Sequence, residues 1–140
     1  MLFDRGGIKV DIYINYGKDS IVRHTVKTCS EASVLDILKD AAEIELTEDE
    51  SATGHEGAMV TSIDGIKNNV DHCWIYYVFE LGSSGWRIPG VMPDKLEVSD
   101  KMRIGWRYYD FAKRGIEIKD GPLWTNRCVS KTRTCTRQFL

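Results

Sequence analysis

His72 and Cys73 place a thiol beside an imidazole, the pair from which a cysteine nucleophile and its base are built. On a strand, adjacent side chains point to opposite faces, so these two are not expected to form a dyad. His55, in Gly54-His55-Glu56-Gly57, sits on a loop and is a candidate metal ligand. No second ligand stands at a helical or hairpin spacing from it, which favours a plain exposed histidine. The acidic run Glu43 to Glu50 lacks the Asp-x-Asp-x-Asp-Gly order of a calcium loop and reads as a solvated edge, so no metal site is expected. Cys128 and Cys135 are separated by six residues, neither the zinc-knuckle nor the redox spacing. On one helix their Cα atoms would lie roughly 10 Å apart, beyond the ~7 Å reach of a disulfide. A turn through Val129 to Thr134 would bring them together as a redox pair; otherwise they stand as separate thiols, with a zinc site shared with Cys29 and Cys73 as the remaining alternative. Nowhere do a nucleophile, a base and an orienting group converge by spacing, so the chain is expected not to be an enzyme.

The elements that carry these residues follow from periodicity. Ile8, Val10, Ile12 and Ile14 alternate with polar residues as a half-buried strand does, and after the turn Gly17-Lys18-Asp19 a second strand runs from Ser20 to Lys27. Ser30 or Ser33 caps a helix in which Val34, Leu38 and Ala42 recur every four residues, with Leu35 and Ala41 widening the stripe. Glu43 to Gly57 reads as a mobile loop, Met59 to Ile63 as a strand, and Asp64-Gly65 as a turn. Cys73 to Glu80 is apolar on both faces, the pattern of a strand in the middle of a sheet. Leu96 to Val98 and Arg103 to Tyr109 are expected to supply the last strands, after a Gly- and Pro-bearing connection from Gly82 to Pro93.

The chain has 140 residues, 42% apolar and 29% charged, enough for one hydrophobic core. Its net charge of −2 divides unevenly, with −7 up to Asp110 and +5 from Phe111 to Leu140. This defines an acidic body, residues 8–110, and a basic C-terminal extension, residues 111–140. Lys131, Arg133 and Arg137 suit that extension to docking on an acidic protein surface, or to folding back on the acidic body. The pI of about 5.9 and the lack of an RNA-binding aromatic motif or recognition helix argue against nucleic acid. No run approaches the roughly 18 apolar residues of a membrane helix, and the first residues lack the apolar stretch of a signal peptide. A cytoplasmic location with reduced thiols is the expectation.

Four pieces in order, Ser33-Val34-Leu35-Asp36-Ile37-Leu38, Ser62-Ile63-Asp64-Gly65, Trp74-Ile75-Tyr76-Tyr77-Val78 and Trp106-Arg107-Tyr108, resemble the transcobalamin C-terminal-like domain. That family is a β-grasp module related to the soluble ligand-binding β-grasp domains. The resemblance spans about Ile8 to Tyr109 and implies an α+β fold, a β-grasp-like mixed sheet packed on one main helix. It departs from the family where Phe79-Glu80-Leu81-Gly82 replaces a tight Asn-Gly hairpin and where Asp100-Lys101 replaces Gly-Asp. In cobalamin carriers this domain covers one face of the corrinoid. The resemblance therefore implies a corrinoid, or a corrinoid-bearing protein complex, as the partner of this chain, with no covalently bound cofactor and with a regulatory role in view. A flat ligand of that kind needs apolar side chains from a loop rim. The loop from Gly82 to Pro93 offers Trp86, Arg87, Ile88 and Met92, and His55 joins them as a candidate cobalt ligand. Trp74 and Trp106, in strand patterns, are assigned to the core. The competing functional reading is a redox-responsive regulator that uses Cys128 and Cys135, or a protein-interaction module with no small ligand.

Overall fold

The computed structural model describes residues 7–17, 20–54, 56–112 and 117–123. His55, Cys128, Lys131, Arg133, Cys135 and Arg137 lie outside them. Strands β1 (Gly7–Asn15) and β2 (Ile21–Cys29) form an antiparallel hairpin in continuous register from Gly7 opposite Cys29 to Asn15 opposite Ile21. Helix α1 (Val34–Ala41) follows. Ser33 accepts a hydrogen bond from Asp36 N, and Asp36 accepts one from Ser33 N, a reciprocal cap that satisfies two of the helix's free amides. Val34, Leu35, Ile37 and Leu38 form its buried face.

Residues 44–53 are more regular than their composition predicts. Ile44–Thr47 forms β3, and Glu50–Thr53 a single helical turn, α2. Ile44 and Leu46 alternate with Glu45 and Thr47, and β3 lies antiparallel to β4 (Met59–Ile63) with a register shift between Glu45 and Leu46. The two isoleucine and leucine side chains reach the core, which gives this short acidic segment a reason to pair. The Asp64-Gly65 turn, both residues at positive φ, leads to β5 (Ile66–Lys67) and completes a three-stranded sheet in the order β3-β4-β5.

The main sheet is completed by β6 (His72–Phe79) and β7 (Arg103–Asp110), in the order β2-β1-β7-β6. β1 and β7 run parallel at its centre, and the other pairs are antiparallel. The result is a β-grasp-like mixed sheet packed on one helix. Val10, Ile12, Ile14, Ile104 and Trp106, all 0–2% exposed, meet the buried face of α1 across the core. Leu96 to Val98 form no strand. They hold the start of α1 through one bridge between Ser33 and Glu97, with Val34 N donating to Leu96 O and Val98 N to Ala32 O.

β6 is an edge strand, not a central one. Its two apolar faces have a different cause: Trp74, Tyr76 and Val78 face the core, while Tyr77 and Phe79 face a second cover on the far side of the sheet. Part of that cover is the segment 117–123, which follows the body as defined by charge and returns onto the open sheet face. Arg107 Nη1 donates to Glu117 O (3.0 Å) and Gly121 O (2.8 Å), Asn15 Nδ2 to Pro122 O (2.8 Å), and the Tyr77 hydroxyl to Ile118 O. Arg107 is 5% exposed, and its guanidinium lies 4.6 Å from the Tyr109 ring centroid, so a buried charge is met by two carbonyls and a π face. Gly105 makes this approach feasible: a Cβ there would stand 2.2 Å from Pro122 Cγ. Among the described residues no helix is long and apolar enough to cross a membrane.

Candidate functional site

On the helix side of the sheet, a half-open groove of about 660 Å³ runs along the outer edge of β6. This lies within the range of small-molecule sites. One wall is β4, through Met59 and Val60; the other is the loop Ile88 to Pro93. Trp74, Tyr76 and Trp106 form its aromatic floor, and Glu56 and Lys95 stand at the rim as a loose ion pair at 3.8 Å. Ile88 and Val91, both on the loop wall, are each 46% exposed.

Several local devices set this shape. The Tyr76 hydroxyl donates to Val91 O, which ties the loop to the floor. Burial pushes that hydroxyl up to about 12, with Arg87 pulling it down and Asp94 raising it again, so it stays a donor throughout the neutral range. Asp94 Oδ1 accepts from Ala58 N at 2.8 Å and so fastens the loop to the entry of β4. Gly57, at φ +115°, is required at that junction, since a Cβ would stand 2.7 Å from the same Asp94 oxygen and 2.9 Å from Met92 Cβ. The far end of the loop is clamped by Arg87, whose backbone pairs with Val78 in both directions at 2.9 Å. Its guanidinium meets Glu80 at 2.8–2.9 Å.

The loop residues proposed from sequence as one rim are divided by the fold. Ile88 and Met92 line the groove, and Arg87 anchors its end. Trp86 lies on the opposite face of the sheet, edge-on to Phe79 (5.5 Å) and Tyr13 (6.2 Å), with its ring over Gly121. There it packs the returning segment onto the sheet. His55 follows Gly54, close in sequence to the rim residue Glu56, but is outside the described residues. Of the floor residues, Trp74 and Trp106 were read from sequence as core, and all three, Trp74, Tyr76 and Trp106, are buried at 2–8% exposed. Their alternation reports burial and cannot report that one side of the burial is a cleft. Trp106 carries a further mark: its indole N–H is buried and, among the described residues, has no hydrogen-bond partner.

The remaining candidate chemistry is dispersed. His72 stacks on Tyr108 (4.9 Å) with Nε2 3.4 Å from Asp110, whereas Cys73 pairs in register with Tyr109 on the other face. Burial pushes the Cys73 thiol up, away from the thiolate form. Among the described residues no three His, Cys, Asp or Glu side chains gather as a metal site.

No family model matches the sequence, and no curated protein matches it. Similarity appears among solved structures. One is haptocorrin in complex with Cbi, the corrinoid cobinamide, at TM-score 0.57 and 14% identity over 74% of this chain. The match spans 25% of haptocorrin, so this chain corresponds to one quarter of that protein. Another is a protein from Ruminococcus gnavus ATCC 29149 whose description proposes metal binding, at TM-score 0.53 and 12% identity over 73% of this chain and 98% of the other. At these identities the likeness is a distant one of fold alone.

Proposed function

We propose that this chain is a non-catalytic binding module that seats one face of a corrinoid, alone or carried by a protein partner, against the groove beside β6. The observation that carries the reading is the groove itself: an apolar, aromatic-floored cleft of about 660 Å³ with exposed Ile88 and Val91 on its loop wall. Part of haptocorrin, solved in complex with Cbi, is distantly similar in fold over 74% of this chain, which supports the reading. A macrocycle of this kind presents a broad apolar face fringed by amides, and the groove offers aliphatic walls with few charges. In this reading Lys131, Arg133 and Arg137 of the basic extension serve an acidic protein surface.

Titration of dicyanocobinamide, followed by its visible spectrum and by tryptophan fluorescence, tests the proposal. Trp74 and Trp106 line the groove, so binding at a Kd of about 1–10 µM would quench emission and shift the corrin bands. An unchanged spectrum and unchanged emission at about 100 µM would exclude a free-corrinoid site of that affinity.

A further inference from the structure

The edge of β6 carries a pattern of open hydrogen-bonding groups. In an antiparallel pair, alternate residues turn both their N–H and their C=O away from the partner strand. On β6 the outward residues are His72, Trp74, Tyr76 and Val78, because Val78 bonds Arg87 on that side and the register with β7 is unbroken. The ends of this row are capped. Asn69 satisfies His72 in both directions, Asn68 Oδ1 accepts from Trp74 N at 2.9 Å, and Arg87 satisfies Val78 in both directions. Three consecutive groups are left over: Trp74 C=O, Tyr76 N–H and Tyr76 C=O. Among the described residues none of the three has a partner outside the sheet.

These three groups open into the groove. Trp74, Ile75 and Tyr76 all line it, and three successive residues of a strand can do so only through the strand's edge, since their side chains alternate between faces. We infer that this edge is a carboxamide-recognition site, which deepens the corrinoid reading and rests on it. A primary amide of the ligand accepts from Tyr76 N–H through its oxygen and donates to the Trp74 or Tyr76 carbonyl through its nitrogen. An ester in the same place keeps the acceptor and loses the donor, so the carbonyls stay unpaired. A carboxylate sets its charge against them. The site thus selects amide-fringed ligands over ester- or acid-fringed ones of the same shape, as a site built around buried polar groups rejects an analogue that cannot pair with them.

The test compares dicyanocobinamide with the fully methyl-esterified dicyanocobyrinate, which has the same ring and no amide N–H. The expected result is at least tenfold weaker binding of the ester, with a downfield shift and slowed exchange of the Tyr76 amide proton in the cobinamide complex and little change at Val78, which is already bonded. Equal affinities, or an unmoved Tyr76 amide, would overturn the inference while leaving the corrinoid reading intact. Failure of both compounds to bind would overturn both.

Discussion

Gly105→Ala probes whether residues 117–123 are part of the folded body. The added Cβ would lie 2.2 Å from Pro122 Cγ and 2.4 Å from Pro122 Cβ, where ordinary contact begins at 3.4 Å. The ring is rigid and its own carbonyl is held by Asn15, so no flexible chain end is available to move aside. If the segment stays in place, overpacking of this kind costs about 1–3 kcal/mol. If it lifts, Arg107 loses both carbonyls, and bonds to a charged donor contribute about 1.5–3 kcal/mol each. Lifting the segment is therefore the costlier route, at about 3–6 kcal/mol, and the overpacked fold sets the expected loss, on the order of 2 kcal/mol, or a fall in Tm of roughly 5–10 °C. Urea unfolding followed by tryptophan fluorescence measures this directly, because Trp86 packs over Gly121. Pro122→Gly removes both clashing atoms, so in that background Gly105→Ala should cost under about 0.5 kcal/mol. An equal cost in the two backgrounds, or no cost in the parent, would refute the placement of the segment.

Trp86→Ala should lower stability by about 2 kcal/mol through lost contacts with Tyr13 and Phe79; cobinamide affinity should change less than about twofold, and a binding loss without a stability loss would return Trp86 to the ligand rim. Val91→Asp, at a residue 46% exposed, should leave unfolding within about 0.5 kcal/mol of the parent while weakening cobinamide roughly tenfold or more by placing a charge on the apolar wall. Alkaline unfolding should report Tyr76 and Tyr77, both pushed up to about 12 by burial. Their pKa values in the fold exceed the unfolded value of about 10, so their contribution is complete below pH 10 and disappears as pH rises through about 12, by about 2 kcal/mol for each residue. Urea titrations across that window should show stability falling, and the Tyr77→Phe variant a shallower fall. Ser33→Ala removes the reciprocal cap of α1 and should cost about 1 kcal/mol by the same assay.

Side-chain periodicity made the hairpin, the capped helix and the strands around Met59 and Arg103 legible, because each has one face on the core and reads as alternation or as a four-residue stripe. β3 was hidden for a physical reason. Its four residues hold only Ile44 and Leu46 against a background of glutamates, and pairing with β4 supplies what propensity lacks. The returning segment was hidden too, since its anchors are backbone carbonyls at Glu117, Ile118, Gly121 and Pro122. Any residue type carries such a carbonyl, so the side chains announce nothing, and the charge change after Asp110 drew the boundary ahead of residues that pack on the body. Within the loop, Ile88 and Trp86 stand two residues apart yet serve opposite faces of the sheet: strand alternation would set both on one face, but Arg87 makes only an isolated bridge to Val78 and the chain leaves strand geometry after it.

A run such as Trp74-Ile75-Tyr76-Tyr77-Val78 records that both its faces are covered, and a central position in a sheet is the common way to achieve that. Here the cover has separate sources, the core with its groove on one side and the returning segment with Trp86 on the other. The strand is therefore buried by face and open by edge. Long open edges invite pairing with other chains, and native proteins blunt them; in this chain Asn68, Asn69 and Arg87 blunt all but the stretch at Trp74 and Tyr76. What remains is too short to template a further strand and of the right length for one amide group. A hydrophobicity pattern contains no term for backbone groups at an edge, so the open groups of Trp74 and Tyr76 beside this groove emerge only when strand order and register are known.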